Sequence, residues 1–463
     1  MIFVGLWRII IENITHLRRG SEEDFYPCIF RVAHVTWYIM DMLFSVPYLV
    51  RILVSLGGIL FFQKITKSLV CALAGGIFIL ALWTGHSGAS MASITYERLF
   101  SLDSLFLSFI IAGVICLSSL MAEAGMMKDL VASLKSRLSR KNLLAVLPAV
   151  VGLLPMPAGA VFSAPLVDDA DEGCSISPLS KARINYWFRH VWEFWWPLYP
   201  GVLLASDLAG LEIWKLAGIM MPLTAATIGA GYIFLFREVP RGELRPGTKD
   251  KAFLPLIIPT LTVIFVYGIL LVTVPALSAI NRYIPMAIGV VCGISVLQFQ
   301  RPASAAVWKK VLSSRRTLSL LVIVILARIY GAFIEARLPG GVLLMEIIRS
   351  ELSTFGIPVL FLVVIVPFVS GLTTGLTVGY IGASFPVVIS LAGADTGGLL
   401  SAVILGYTCG FLGMTLSPIH ICLIVTNEYF KTSLFQSLKG LLLPSALVFA
   451  CAAAYSLVWS FFP

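Results

Sequence analysis

The chain carries little charge and few side chains suited to acid–base chemistry. Only 12% of its 463 residues are charged and only five are histidines, whereas about 25% of the residues in a soluble domain are charged. Hydrophobic residues make up 59%, and the mean hydropathy is +0.95. Apolar windows of about 20 residues follow one another along the chain, which is the pattern of membrane-spanning helices. The scarcity of charge therefore excludes a soluble domain and predicts an all-α polytopic membrane protein.

The chain also lacks the motifs of ATP-driven pumps and intramembrane hydrolases. It contains no Gly-x-x-x-x-Gly-Lys-Ser/Thr loop, no His-Glu-x-x-His pair and no Gly-x-Ser-x-Gly elbow. Its eight cysteines lie mostly inside apolar runs without paired spacing, which argues against a disulfide framework or a zinc site. The net charge of +9 comes from Lys and Arg in short loops, where they act as topology signals. We therefore expect no enzyme activity, no cofactor and no nucleic-acid partner.

Two broken apolar stretches recur at one fixed separation. Ser163-Ala-Pro165 in the first Gly/Pro-rich stretch aligns with Ser384-Phe-Pro386 in the second, 221 positions later. Further along, Pro197 and Pro418 interrupt apolar runs at the same separation of 221. A broken helix at membrane depth is tolerated only where it is buried in protein or lines a cavity. Breaks at corresponding places in two halves are typical of a transporter's binding site.

Each half of the chain reads as three spans, a broken element and two further spans. Residues 46–236 form the first repeat and residues 252–463 the second, joined by a cytoplasmic linker at 237–251. Residues 1–45 form an N-terminal extension that could add one helix. The apolar segments are 46–63, 67–83, 102–122, the broken 142–167, 184–205 and 211–236, followed by 252–274, 284–299, 317–334, the broken 356–391, 397–425 and 441–462.

Basic loops indicate how the broken elements sit in the membrane. Lys and Arg concentrate in 128–141, 237–251 and 301–316, and the positive-inside rule places all three loops in the cytoplasm. This holds only if 142–167 enters and returns as a re-entrant hairpin, because a crossing would put 237–251 outside. Each arm of about 13 residues is roughly 20 Å long, enough to reach the bilayer centre but not to cross. Five full spans per half then make the second repeat inverted, with a hairpin at 356–391. The alternative is two unrelated kinks in ordinary spans.

Three stretches resemble the signatures of a known prokaryotic membrane family. They are residues 155–165 (Pro-Met-Pro-Ala-Gly-Ala-Val-Phe-Ser-Ala-Pro), 185–201 and 410–423. The family is "domain of unknown function 401", which is grouped with the ion transporter superfamily, and the resemblance covers roughly residues 46–463. It implies an elevator-type secondary transporter in the prokaryotic cytoplasmic membrane, often a homodimer, with a substrate site between two hairpin tips. The Ser-Asn-Thr tip motif of the divalent-anion symporters in that superfamily is absent here, so their substrate does not carry over.

The hairpin tips are the first candidates for a binding site. Broken helices free backbone N–H groups, which favour anions, and carbonyls, which favour Na⁺. The candidates are Pro157, Gly159 and Ser163 in the first hairpin and Thr373, Thr374, Gly375, Thr377 and Ser384 in the second. No metal ion other than Na⁺ is expected there. The alternative is that these small residues only allow close helix packing.

Intramembrane charges after the first hairpin are the second set of candidates. Arg189, His190 and Glu193 lie in the predicted span 184–205, where ionisable residues are costly and often functional. Arg189 and Glu193 are four residues apart on the predicted helix and can pair on one face, and His190 with Glu193 could relay a proton. The alternative makes Arg189 and His190 anchors near the cytoplasmic end of the span.

Proline interrupts this span and its counterpart in the second half. Pro197 and Pro200 are expected to break the first at mid-depth, and Pro418 the second. Ser417 and His420 would then face the second hairpin across the site. A lone intramembrane histidine is, however, often a packing residue.

These candidates favour a secondary active transporter that moves a small anion, a carboxylate, coupled to H⁺ or Na⁺ across the lipid bilayer. Neither hairpin tip contains Asp or Glu, whereas a cation/proton antiporter needs a central buried carboxylate. Such an antiporter of the same fold is the first alternative, and an intramembrane enzyme is the second.

Overall fold

The computed structural model describes residues 45–126, 129, 133–134, 138–153, 159–171, 176–237, 239, 254–392 and 396–461. In this part of the chain the structure is helical and contains no strand; Arg337 and Leu343 form an isolated β-bridge. The N-terminal extension up to residue 44, most of the linker 237–251 and Pro157 at the first hairpin tip lie outside the described residues.

Nine helices precede the linker and eleven follow it among the described residues. The first nine are α1 (Tyr48–Thr66), α2 (Leu69–Trp83), α3 (Gly88–Leu99), α4 (Leu102–Glu123), α5 (Arg140–Gly152), α6 (Ala160–Ala170), α7 (Pro178–Arg189), α8 (Pro200–Leu208) and α9 (Ile213–Leu235). The others are α10 (Leu254–Thr273), α11 (Pro275–Ile280), α12 (Ile284–Gln300), α13 (Ala305–Leu312), α14 (Arg315–Glu335), α15 (Leu344–Thr354), α16 (Val359–Thr374), α17 (Thr377–Ala392), α18 (Thr396–Thr415), α19 (Ile421–Phe430) and α20 (Leu434–Trp459).

The prediction of an all-α polytopic membrane protein is confirmed. Seven stretches of the described chain are long and apolar enough to cross a membrane: α1, α4, α9, α10, α13 together with α14, α18 and α20. Shorter apolar helices, among them α2, α12 and α17, lie between them.

Helix starts in the two halves follow the separation found in the sequence. α8 begins at Pro200 and α19 at Ile421, and α9 begins at Ile213 and α20 at Leu434, so both pairs are 221 residues apart. Each half therefore contains a helical hairpin, then two helices separated by a break, then a long helix. In the first half these are α5–α6, α7–α8 and α9, and in the second α16–α17, α18–α19 and α20. The opposite orientation of the two halves in the membrane stays a prediction.

Each broken stretch contains a pair of helices that pack on each other. α5 packs on α6, and α16 packs on α17. A two-residue link that starts at Gly375 connects α16 to α17. Gly375 has a φ of +60°, the left-handed conformation that glycine adopts without strain. α15 precedes α16 at a bend of 112° and buries Leu344, Ile348 and Leu352 on one face. It is thus a separate amphipathic helix, not an extension of the hairpin arm.

Glycines bring the second hairpin into backbone contact with α18. An ideal Cβ on Gly371 would lie 2.2 Å from the Gly410 carbonyl oxygen, and one on Gly413 would lie 2.1 Å from the Phe368 carbonyl oxygen. These distances leave room only for hydrogen, so a side chain at either position would force the helices apart. At Gly371 the small residue serves close packing.

Candidate functional site

The first helix break lies between α7 and α8, and it begins earlier than proline placement predicts. Pro197 and Pro200 were expected to interrupt a helix, but α7 already ends at Arg189 and residues 190–199 form turns. The last carbonyl of α7 lies against α5 at this point: an ideal Cβ on Gly152 would lie 2.1 Å from the Arg189 carbonyl oxygen. The sequence predicts that Arg189 and Glu193 lie one turn apart on one helix face. In the structure they do not, because Glu193 lies beyond the end of α7.

Aromatic side chains tie the turn segment to α5. Trp192 donates its indole N–H to the Ala149 carbonyl at 2.8 Å, and the Tyr199 hydroxyl donates to the Gly152 carbonyl. Both bonds satisfy carbonyls at the end of α5. The first hairpin and the first helix break therefore form one connected unit.

The second helix break lies between α18 and α19 and touches the second hairpin. α18 ends at Thr415 and α19 begins at Ile421, with Pro418 between them. The Ser417 hydroxyl donates to the Leu372 carbonyl at 2.7 Å. An ideal Cβ on Gly375 would lie 3.2 Å from the His420 backbone nitrogen. The hairpin tip therefore rests directly on the break.

Thr377 connects the second hairpin tip to the first helix break. Its hydroxyl donates to the Glu193 carboxylate, and an ideal Cβ on Gly201 would lie 2.5 Å from the Thr377 methyl carbon. Gly159 of the first hairpin packs on Arg189, since a Cβ there would lie 2.4 Å from Nη1 of the guanidinium. Both hairpins and both helix breaks thus converge.

A cavity of about 460 Å³ lies at this convergence. Its polar lining side chains are Arg189, His190, Glu193, Tyr199, Ser319, Thr377, His420 and Cys422. Leu69 of α2, Ile115 of α4 and Ile323 of α14 add an apolar wall. Arg189, His190 and Glu193 are each at most 7% exposed, so these ionisable groups face the cavity and not bulk solvent.

The two cavity histidines have different surroundings. His190 Nδ1 lies 2.6 Å from the Tyr186 carbonyl oxygen, and its Nε2 lies 3.8 Å from a Glu193 carboxylate oxygen. The rings of His190 and His420 meet edge to face, with centroids 4.9 Å apart.

The backbone at Glu193 is held by the Tyr407 hydroxyl, which donates to the Glu193 carbonyl at 2.5 Å. Glu193 is thereby fixed through both its backbone and its side chain.

The predicted site residues divide into three groups. Arg189, His190, Glu193, Thr377 and His420 line the cavity, and Gly159, Gly375 and Ser417 contact its walls. Ser163, Thr373, Thr374 and Ser384 do not line it; the hydroxyls of the last three bond to carbonyls one turn earlier in their own helices. Pro157 lies outside the described residues.

Sequence reasoning missed three polar cavity residues, Tyr199, Ser319 and Cys422, and one buried charge cluster. Cys422 lines the cavity two residues after His420, and its position next to a histidine at a helix break was the available signal. Asp207 accepts hydrogen bonds from Arg282 at 2.8 Å and Arg328 at 2.9 Å, and from the Tyr283 hydroxyl. An acidic residue in an apolar run is itself a signal of such a cluster.

Comparison with known proteins assigns the chain to a family. The family model "Protein of unknown function (DUF401)" matches residues 49–459. The "Uncharacterized membrane protein YhfA" of Bacillus subtilis (strain 168) is 24% identical over 202 residues, which cover 41% of this chain and 43% of that protein. The alignment with this relative thus spans less than half of its length. Because the family match extends over most of the chain, the protein belongs to the DUF401 family.

Proposed function

We propose that the protein is a secondary active transporter that binds a small anion, a carboxylate, in the cavity at the helix breaks. The observation that carries this proposal is the position of three helix N-termini. Pro200 and Gly201 of α8, Thr377 and Val378 of α17, and Ile421 of α19 all line the cavity. Helix N-termini present unpaired N–H groups and a partial positive charge, which favour an anion.

The side chains of the cavity complement these backbone groups. Arg189 supplies a permanent positive charge and a planar set of donors suited to a carboxylate. Ser319 and the two histidines add polar atoms, while the apolar wall excludes water. A cavity lined by a buried arginine and three helix N-termini is a better environment for an anion than for a cation.

Glu193 is the proposed site of the coupling cation, H⁺ or Na⁺. The residue is 7% exposed, its carboxylate contacts the second hairpin tip through Thr377, and it lies in the turn segment that follows Arg189. A cation bound there would change the charge next to the anion and link the two binding events. An elevator movement of an inverted repeat in a homodimer, as in the ion transporter superfamily, is the mechanism we propose for the prokaryotic cytoplasmic membrane.

The same carboxylate supports a second candidate, a cation/proton antiporter of this fold. Neither hairpin tip contains Asp or Glu, which by itself speaks against an antiporter. In the structure Glu193 lies outside both tips in sequence but contacts the second one in space. A buried carboxylate at the helix breaks is what an antiporter requires.

Ligand-dependent stabilisation of the purified protein separates the two candidates. An anion that binds the folded state at 100 times its Kd adds about 2.7 kcal/mol to the free energy of unfolding. We expect a panel of small carboxylates to contain members that raise the melting temperature of the wild type but not of Arg189→Gln. Arg98→Gln, which removes a half-exposed arginine outside the cavity, is the matched control. Stabilisation by Na⁺ with no response to any anion would favour the antiporter.

A further inference from the structure

We propose that the cavity contains a site for a borderline divalent transition metal ion, of which Zn²⁺ is the representative. His190, His420 and Cys422 each offer one donor atom, and the three atoms lie within 4.8 Å of one another. All three residues are buried. Two imidazole nitrogens and one thiolate form a donor set that Zn²⁺ prefers.

His190 is oriented as a metal-binding histidine. Its Nδ1 lies 2.6 Å from the Tyr186 carbonyl oxygen, so Nδ1 carries the hydrogen and Nε2 keeps its lone pair. Metal-ligating histidines are commonly held in this way by a carbonyl on the other ring nitrogen, which fixes both the tautomer and the ring orientation. The backbone of α7 therefore prepares Nε2 as a ligand.

His420 provides a second, independent observation, an unsatisfied buried nitrogen. Its Nδ1 is buried and has no hydrogen-bond partner within the described part of the chain, and the residue is only 5% exposed. An unsatisfied buried polar atom is costly, and such atoms in a folded protein call for an explanation. A metal ion in the cavity that His420 lines would supply that explanation.

The two helix breaks place the ligands. His190 directly follows α7, His420 directly precedes α19, and Cys422 is the second residue of α19. The donor atoms of a tetrahedral zinc site lie about 3.3–3.8 Å apart, given bonds of 2.0–2.3 Å. The three donor atoms already lie within 4.8 Å of one another, so each pair would have to approach by at most about 1.5 Å to reach the spacing of a zinc site.

Three protein ligands leave one position of a tetrahedral ion open toward the cavity. When the ion binds, the Cys422 thiol releases its proton to solvent and the thiolate forms the bond to the metal. The double positive charge of the ion and the single charge of Arg189 then exceed the negative charges of the thiolate and Glu193. The remaining positive charge favours an anionic ligand at the open position.

This inference differs from the expectation, drawn from the sequence, that the cysteines form no zinc site. His190 and Cys422 are 232 residues apart, so no spacing motif could reveal them. The inference does not depend on transport, because it concerns what the cavity binds and not what the protein moves.

Cobalt binding to the full-length protein, purified without a polyhistidine tag and stripped of metal, tests the site directly. Co²⁺ replaces Zn²⁺ in such sites, and a Co–thiolate bond gives an ultraviolet charge-transfer band that histidine or carboxylate ligation does not give. We expect one equivalent of Co²⁺ to produce this band, and Zn²⁺ to abolish it by competition. Cys422→Ser should lose the band. The controls Cys409→Ser and His86→Gln, which alter buried residues outside the cavity, should keep it.

A second variant keeps the test decisive if Cys422→Ser does not fold. His420→Gln should keep the thiolate band but weaken Co²⁺ binding by at least about tenfold, since even the loss of an outer partner of a ligand costs that much. Absence of the band in the folded wild type would overturn the proposal. Persistence of the band in Cys422→Ser, or unchanged affinity in His420→Gln, would show binding elsewhere and would overturn it equally.

Discussion

Removal of the Asp207 carboxylate charge should destabilise the protein strongly. One oxygen of Asp207 accepts hydrogen bonds from Arg282, Arg328 and Tyr283. The side chains of Asp207 and Arg328 are only 5% and 3% exposed. Asp207→Asn preserves the shape of the residue but leaves Arg328 buried without its counter-charge. Breaking a buried ion pair on one side typically costs about 3–5 kcal/mol, chiefly because the remaining charge stays buried.

Glu335→Gln is the matched control, because it removes a carboxylate charge from an exposed pair. Glu335 and Arg98 lie 3.1 Å apart, with side chains 58% and 34% exposed. Pairs of this kind contribute at most about 1 kcal/mol. Thermal unfolding in detergent should therefore give Glu335→Gln a melting temperature near that of the wild type and Asp207→Asn a much lower one.

A double variant separates the buried charge from the lost hydrogen bonds. Replacing Arg328 by Met as well removes the uncompensated charge, so Asp207→Asn with Arg328→Met should unfold at a higher temperature than Asp207→Asn alone. Equal melting temperatures for Asp207→Asn and Glu335→Gln would refute the assignment of Asp207 as the anchor of a buried charge cluster.

Three further predictions concern packing, topology and coupling. Gly371→Ala should lower the free energy of unfolding by about 1–3 kcal/mol, because the new Cβ would lie 2.2 Å from a backbone oxygen of α18. Gly218→Ala, whose Cβ would have nothing within 4 Å, should raise it by about 0.5–1 kcal/mol through helix propensity. The reverse order of stability in thermal unfolding would contradict this packing. In a background without native cysteines, Ser175→Cys and Thr248→Cys should react with an impermeant thiol reagent from the same membrane side, and labelling from opposite sides would mean that 142–167 crosses. Glu193→Gln should abolish gradient-driven uptake while anion binding persists; normal uptake would move the coupling ion elsewhere, and a large drop in melting temperature would mark Glu193 as structural.

The sequence predicts the elements of the fold well because its signals are local. Apolar windows, basic loops and Gly/Pro breaks each depend on a few neighbouring residues. The separation of 221 residues between Pro197 and Pro418 also separates the starts of α8 and α19. A proline removes one N–H and disfavours one turn of helix wherever the chain folds, so the existence of both breaks could be predicted.

The extent of the breaks and the membership of the site could not be predicted, because tertiary contacts set them. α7 ends eight residues before Pro197, where the Arg189 carbonyl meets α5 at Gly152. Cys422 and His190 become neighbours only when two breaks from different halves converge. A residue such as Ser384 fits the composition of a binding site, yet its hydroxyl bonds to the Tyr380 carbonyl in its own helix.

Uptake into proteoliposomes tests most directly the claim that the cavity carries an anion across the membrane. The wild type is reconstituted and offered labelled small carboxylates, with a Na⁺ gradient and a pH gradient imposed separately. We expect at least one carboxylate to accumulate under one of the two gradients. The Arg189→Gln variant, shown to be folded by its melting curve, should not accumulate it. Exchange of Na⁺ for H⁺ with no anion uptake under either gradient would contradict the account and identify an antiporter.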